Sequence, residues 1–409
     1  MSQPTPQVNL PNDADASGRS FGQPELEQLR RVIESGTLNC TRGRAVKELE
    51  QHFAKMLGVK HARAVTSGTA AVHCAVSAMG LEPGDEVIST PITDMGAITP
   101  ILYQGGIPVF ADVEADTLNV TAATIEKKLT KRTRAILVTH LFGDPCEMDA
   151  IMELAAKHKL PVIEDAAQSI LATYKGKQTG TIGNIGCFSF QQGKHMTCGE
   201  GGMVVTNDDA LARHVRLFSD KAWGYGDPKP DHYFMAPNYR MTELQGAVAL
   251  AQAERLAPWI DHRIAMVELL HKLVADVPGV HMPVRKAHRR HVYWRIALRV
   301  DDSVPGGSVA FGAQLRERGV ACAPRYIVKP AFECEVLRDH KAFGKSGWPW
   351  VGEQRRNDPP VVYDRAQTPG VIKGLEQVVV LSVNERYQPE HIRMVAQAIR
   401  EAAGALVKV

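Results

Sequence analysis

Between residues 62 and 206 the chain alternates short apolar runs with longer stretches of helical periodicity. The apolar runs fall at 62–66, 86–90, 107–111, 135–140, 161–165, 185–190 and 202–206, and we read them as seven candidate strands. Helical patterns occupy several of the gaps, at 70–79, 122–129 and 148–158. Strands that alternate with helices predict an α/β fold, a mainly parallel seven-stranded sheet sandwiched by helices. Ahead of this region, Pro24 opens a helix over 25–33 that Gly36 is placed to close. A second amphipathic helix carries Val46, Leu49, Phe53 and Leu57 on one stripe and ends at Gly58. An Ala-rich helical stretch runs over 244–256, where Pro258 is expected to end or kink it. That break predicts an N-terminal arm at 1–20, a large domain at 21–257 and a small one at 258–409. The small domain is expected to be α+β, with strands near 291–300 and 378–381, helices near 308–318 and 389–403, and a Pro/Gly/Trp-rich loop around 340–370.

Composition narrows the picture by exclusion. The chain has 409 residues, 44% hydrophobic and 23% charged, an ordinary globular balance. A net charge of +3 gives no reason to expect nucleic acid or a membrane as partner. There is no apolar run of about 18 residues to span a bilayer. The first twenty residues are polar and lack the apolar core of a signal peptide, so the expected location is cytoplasmic. They read as a mobile arm. Seven scattered cysteines form neither a disulfide framework nor a metal-ligand spacing, and no metal is expected.

In parallel α/β sheets, ligands bind at the carboxyl ends of the strands. That rule gathers Ser67-Gly68-Thr69, His140, Asp165 and the loop of Lys194 onto one rim. Ser67-Gly68-Thr69 sits where a strand hands over to a helix, whose N-terminus attracts anions. Ser189, five residues before Lys194, offers a second hydroxyl. Asp165 ends an apolar strand and is suited to hold a protonated ring nitrogen. Lys194 lies between Gly193 and the Gly199/Gly201/Gly202 cluster, and a desolvated amine there would be a nucleophile towards carbonyls. Taken singly, the same residues are as readily a helix cap, a second helix cap and a solvated loop lysine. Together they are the parts that pyridoxal 5'-phosphate (PLP) requires: an anion cradle, an amine and a carboxylate.

Five ordered motifs extend this. They are Thr66-Ser-Gly-Thr-Ala-Ala71, Val162-Ile-Glu-Asp-Ala-Ala-Gln168, Ser189-Phe-Gln-Gln-Gly-Lys194, Gly199-Glu-Gly-Gly202 and Asn238-Tyr-Arg-Met-Thr-Glu-Leu-Gln245. Along nearly its whole length the chain resembles the DegT/DnrJ/StrS group of PLP-dependent sugar and cyclitol aminotransferases, of PLP fold type I. The resemblance implies that Lys194 bonds the cofactor and moves the proton, and that Asp165 pairs with the pyridine nitrogen. It places Gln168 beside the ring, Ser67, Gly68, Thr69 and Ser189 around the phosphate, and Asn238 at the phosphate of a neighbouring subunit in a homodimer. Where relatives have a ring-stacking aromatic, this chain has Thr93-Asp94-Met95: Asp94 or Met95 falls at that position, Met95 as a soft apolar contact, Asp94 as an unusual one over a ring. Some relatives carry histidine in place of the lysine and dehydrate their substrates; Lys194, followed by His195, favours transamination.

The implied reaction moves an amino group from L-glutamate or L-glutamine to a keto group of a nucleotide-linked sugar or an inosose-like cyclitol. Gln191-Gln192 resembles the cyclitol branch. The basic run at 285–291 reads as a nucleotide contact or a solvated connection, and the loop at 223–234, with Lys221 and His232, as a substrate lid. Two alternatives stand beside this reading: a PLP-dependent dehydratase or aromatising enzyme, and a non-catalytic PLP-binding regulatory protein.

Overall fold

A computed structural model describes residues 9–407. Seven strands form the central sheet: β1 (His61–Val65), β2 (Glu86–Ser89), β3 (Ile107–Phe110), β4 (Thr133–Thr139), β5 (Val162–Asp165), β6 (Ile185–Ser189) and β7 (Gly202–Thr206). Their spatial order is β1-β7-β6-β5-β4-β2-β3. β2, β3, β4, β5 and β6 pair in parallel, while β7 runs antiparallel to both of its neighbours. The carboxyl ends of β1, β2, β4, β5 and β6 therefore open on the same edge. β5 is central and buried along its length, as a strand covered on both faces must be.

Helices cover both faces. α1 (Gln23–Ser35) and α2 (Ala45–Leu57) end on Gly36 and Gly58, each in the left-handed conformation (φ 66° and 68°) that only glycine adopts without strain. The apolar stripe of α2 packs Phe53 edge-on against Phe188 and Phe190, with ring centroids at 5.2 and 5.6 Å. α3 (Gly68–Ser77) follows β1, and α4 (Met148–His158) leads into β5. α5 (Asp209–Phe218), not foreseen from the sequence, packs beside α3. α6 (Glu243–Ala253) stops at Glu254, and Pro258 falls in the first turn of α7 (Leu256–Leu273).

The C-terminal part is α+β, as expected. An antiparallel sheet of β8 (Val280–His281), β9 (Arg295–Val300), β10 (Cys322–Pro324) and β11 (Val378–Ser382) has the order β8-β9-β11-β10. It packs on α7, α8 (Gly307–Glu317) and α10 (Pro389–Val407), while α9 (Pro369–Gln377) precedes β11.

The expected mobile arm behaves differently over its described residues. Asp13 and Arg19 are buried, and the segment forms turns whose backbone is held by side chains such as Ser17 and Asn384. Its polarity serves buried ion pairs. Among the described residues no helix is long and apolar enough to cross a membrane, and no group of acidic, His and Cys side chains is arranged to hold a metal ion.

Candidate active site

β1 delivers the chain to Ser67, whose hydroxyl accepts the Ala70 N–H (3.0 Å) and caps α3. The first two amides of the helix, those of Gly68 and Thr69, are left without an intrahelical acceptor. A Cβ on Gly68 would lie 2.7 Å from Ser189 Cβ, and one on Gly96 would lie 2.4 Å from the Thr69 hydroxyl. Two glycines thus let two hydroxyls and a helix N-terminus converge on one anion-sized corner.

Asp165 ends β5. Its carboxylate accepts the Ala167 N–H (3.1 Å) and the Thr139 hydroxyl (3.4 Å). Burial pushes its pKa up; the Ala167 N–H and the charge of Lys194 oppose that rise. Gln168 follows it and accepts the Phe142 N–H at 2.7 Å.

Lys194 is carried by the connection from β6 to β7. It keeps some solvent contact through the crevice, yet protein surrounds it closely enough for desolvation to dominate. Burial lowers its pKa to about 8, against the carboxylates of Asp165 and Asp94; the like charge of Arg295 pushes the same way as burial. Its Nζ lies 4.2 Å from the centroid of the Trp294 ring. The Trp294 indole N–H donates to the Gly193 carbonyl (2.7 Å), and its backbone N–H donates to Phe142 O (2.7 Å). Gln168, Phe142, Trp294 and Gly193 therefore form a continuous hydrogen-bonded path from β5 to the lysine loop.

These residues surround a crevice of about 420 Å³, within the roughly 300–1,000 Å³ of small-molecule sites. Ser67, Gly68, Thr69, Asp165, Gln168, Ser189 and Lys194 all line it. Of the residues singled out from the sequence, Met95 and Asn238 lie elsewhere. Asp94 accepts the Gly96 N–H (2.7 Å) and caps the short turn Met95–Ala97, so Asp94 lines the crevice while Met95 packs against the cluster of Ile98, Phe332 and Trp350. Asn238 is exposed, and its Oδ1 accepts the Arg240 N–H. His140 reaches the rim only with its backbone. Its ring is buried, with Nδ1 accepting the Cys146 N–H (3.0 Å) and Nε2 donating to Glu164 (2.8 Å).

The basic run is a structural seam. Arg285 meets Glu268, Lys286 and His288 meet Glu147, Arg289 meets Asp144, and Arg290 meets Asp261. The loop at 223–234 is a folded hairpin, with Trp223 bridged to His232 and Tyr233 donating to Asp227, and none of it lines the crevice. Trp294 and Tyr326, which also line it, were not foreseen; Asp94 and Glu200 line it too, from the stretches Thr93-Asp94-Met95 and Gly199-Glu-Gly-Gly202 already singled out. An aromatic at the head of a strand, as Trp294 is at β9, was the available signal.

The donor set fits PLP: an amine of lowered pKa, a buried carboxylate with hydrogen-bonding capacity in reserve, and a hydroxyl-and-amide corner that a side chain at Gly68 would fill. Comparison with known proteins agrees. The DegT/DnrJ/EryC1/StrS aminotransferase family model matches residues 20–347. GDP-perosamine synthase of Caulobacter vibrioides is 41% identical over 299 residues, covering 72% of this chain and 79% of that protein. The spore coat polysaccharide biosynthesis protein SpsC of Bacillus subtilis is 36% identical over 295 residues, covering 70% and 75%. The X-ray structure of an aminotransferase from Psychrobacter cryohalolentis superposes with a TM-score of 0.83 at 31% identity, over 95% of this chain and 99% of that one. The chain belongs to the DegT/DnrJ/EryC1/StrS aminotransferase family and is a PLP-dependent aminotransferase of fold type I.

Proposed function

We propose that the protein moves an amino group from L-glutamate or L-glutamine to the keto group of a nucleotide-linked sugar. The observation that carries this substrate class is the 41% identity, over 72% of the chain, to a protein named for a GDP-linked amino sugar. Bound PLP supplies the carbonyl that takes up the donor's amine and a ring that withdraws electrons. Lys194 is the residue that holds it and that carries the proton, at Nζ, between donor carbon and cofactor. A pKa of about 8 suits that exchange, because neutral and protonated amine are both populated near neutral pH. The Asp165 carboxylate stabilises positive charge on the ring nitrogen, in a buried setting where the attraction is stronger than in water. The Gly68 and Thr69 amides and the Thr69 and Ser189 hydroxyls hold the phosphate, with Ser67 capping the helix behind them. Asn238 is exposed and outside the crevice, which fits a role at a partner subunit's site in a homodimer.

Of the pair that carries the cyclitol resemblance, Gln191 lines the crevice and Gln192 does not. The Gln192 side-chain amide donates to the Asp13 carbonyl (2.9 Å), so half of the Gln191-Gln192 pair is engaged by the N-terminal turn.

Absorbance titration of the PLP-loaded protein with L-glutamate and with L-glutamine, beside Lys194→Ala, tests lysine and donor together. A panel of GDP-linked, other nucleotide-linked and inosose-type ketones, read by mass spectrometry, tests the acceptor. We expect one of the two donors to bleach the wild-type cofactor band and a GDP-linked ketone to gain the amino group. Turnover of an inosose alone would replace the sugar assignment.

A further inference from the structure

The loop of Lys194 is gripped from a direction the motifs do not announce, the N-terminal turn at residues 11–19. Arg19, buried, donates to the Gln192 carbonyl, and the Gln192 side chain donates to the Asp13 carbonyl at 2.9 Å. The Asp13 carboxylate is also buried and meets Arg295 Nη1 at 2.5 Å. Arg295 lies 4.8 Å from the centroid of the Trp294 ring, and Trp294 holds the Gly193 carbonyl. Both carbonyls immediately before Lys194 are thus fixed by side chains, one from the N-terminal turn and one from the head of β9.

The turn is itself anchored. Asn384 donates to Pro11 O (3.1 Å), and the Glu385 carboxylate lies 3.7 Å from Arg19 and 3.5 Å from Arg263. Asp13, Arg19, Arg263 and Glu385 are all buried. Asp13 Oδ1, Arg19 Nη1 and both Glu385 oxygens have no hydrogen-bond partner among the described residues. As a stabilising device such a cluster is poor, because desolvation of buried charges offsets their attraction. Placement of the lysine accounts for it better. The cluster also bears on charge: the groups facing Lys194 are Asp165, Asp94 and Arg295, and Asp13 is the acid in contact with Arg295.

We propose that the N-terminal turn is a working part of the active site, with Arg19 and Asp13 acting as positioning residues for Lys194 through Gln192 and Arg295. The inference rests on the role given to Lys194 above, and its test separates the two. Apoprotein is acetylated with acetic anhydride over roughly pH 6 to 11, and the Lys194 peptide is quantified by mass spectrometry. The wild-type midpoint is expected at about 8. Asp13→Asn leaves the Arg295 charge unbalanced and lowers the midpoint by about half a unit or more, while Arg295→Gln raises it by a similar amount. Arg19→Gln, read by hydrogen exchange at 193–197, is expected to speed exchange by about tenfold, and Arg19→Lys by less. These opposite signs, and the partial rescue by lysine, are what a merely structural role would not produce. Midpoints equal to wild type in both charge variants, or unchanged exchange in Arg19→Gln, overturn the proposal. A wild-type midpoint near the ordinary lysine value would instead undercut the chemistry assigned to Lys194, with the differences between variants still deciding the turn.

Discussion

The two faces of β5 at its carboxyl end carry adjacent buried carboxylates with opposite roles. On one face, Glu164 accepts the N–H groups of Gly180 (2.8 Å), Ile182 (2.7 Å) and Gly183 (2.5 Å) and the His140 Nε2–H (2.8 Å). Four donors fill the roughly four acceptor positions of a carboxylate. On the other face, one residue on, Asp165 accepts only the Ala167 N–H and the weakly placed Thr139 hydroxyl, and it faces the crevice. Glu164 stitches the loop at 180–183 to the sheet; Asp165 keeps capacity for a ligand. Burial alone does not distinguish a structural acid from a functional one. The number of lone pairs already spoken for does.

The strongest way to sharpen this contrast is to empty the functional face. Lys194→Ala should cut transamination by about 10⁴-fold or more while leaving the fold intact, checked by circular dichroism. Asp165→Asn comes next, with a loss of about 10²-fold or more in kcat. Its effect on apoprotein stability should have the opposite sign. Burial raises the folded pKa of Asp165, so the folded state holds that proton longer than the unfolded chain does, and stability falls as pH rises from 3.8 through the raised value. Above that window the charged form is a liability, and the Asn variant should melt at or above the wild-type temperature. Glu164→Gln turns an NH₂ group towards backbone donors and should cost about 3 kcal/mol of stability with little change in kcat per folded molecule. If Asp165→Asn destabilised the apoprotein as much as Glu164→Gln does, the contrast would collapse.

How much of this was legible depended on whether the signal was local. All seven sheet strands fell where short apolar runs marked them; the parallel strands β2 to β6 are buried along most of their length and are written as such runs. Gly36 and Gly58 marked helix ends because a left-handed C-cap selects glycine. The rim residues Ser67, Asp165 and Lys194 could be assembled because strand order fixes where their carboxyl ends lie. Of the glycines that flank Lys194, Gly193 needs no left-handed backbone; Gly199 does, at φ 86°. What stayed hidden was the opposite wall. Trp294 and Tyr326 arrive from a hundred residues or more beyond Lys194, and an aromatic at a strand head, as Trp294 is, does not by itself say which surface it will face. The turn at 11–19 was misread because charged residues usually mean solvent, and here Asp13 and Arg19 are buried against partners near residues 295 and 385.

The smallest expected effect tests whether that distant wall acts at all. Trp294→Phe keeps an aromatic face beside Lys194 and Phe142 but removes the indole N–H that holds the Gly193 carbonyl. A hydrogen bond of this kind is worth about 1 kcal/mol, so if the loop's position matters, kcat should fall by roughly fivefold with stability changed by no more than a similar amount. The Lys194 acetylation midpoint should remain close to 8, since no charge has been added or removed. A lower kcat with that midpoint unmoved would mean that Trp294 positions the amine without tuning it. An unchanged kcat would confine the chemistry to the sheet rim and leave the C-terminal wall as a boundary that only excludes water.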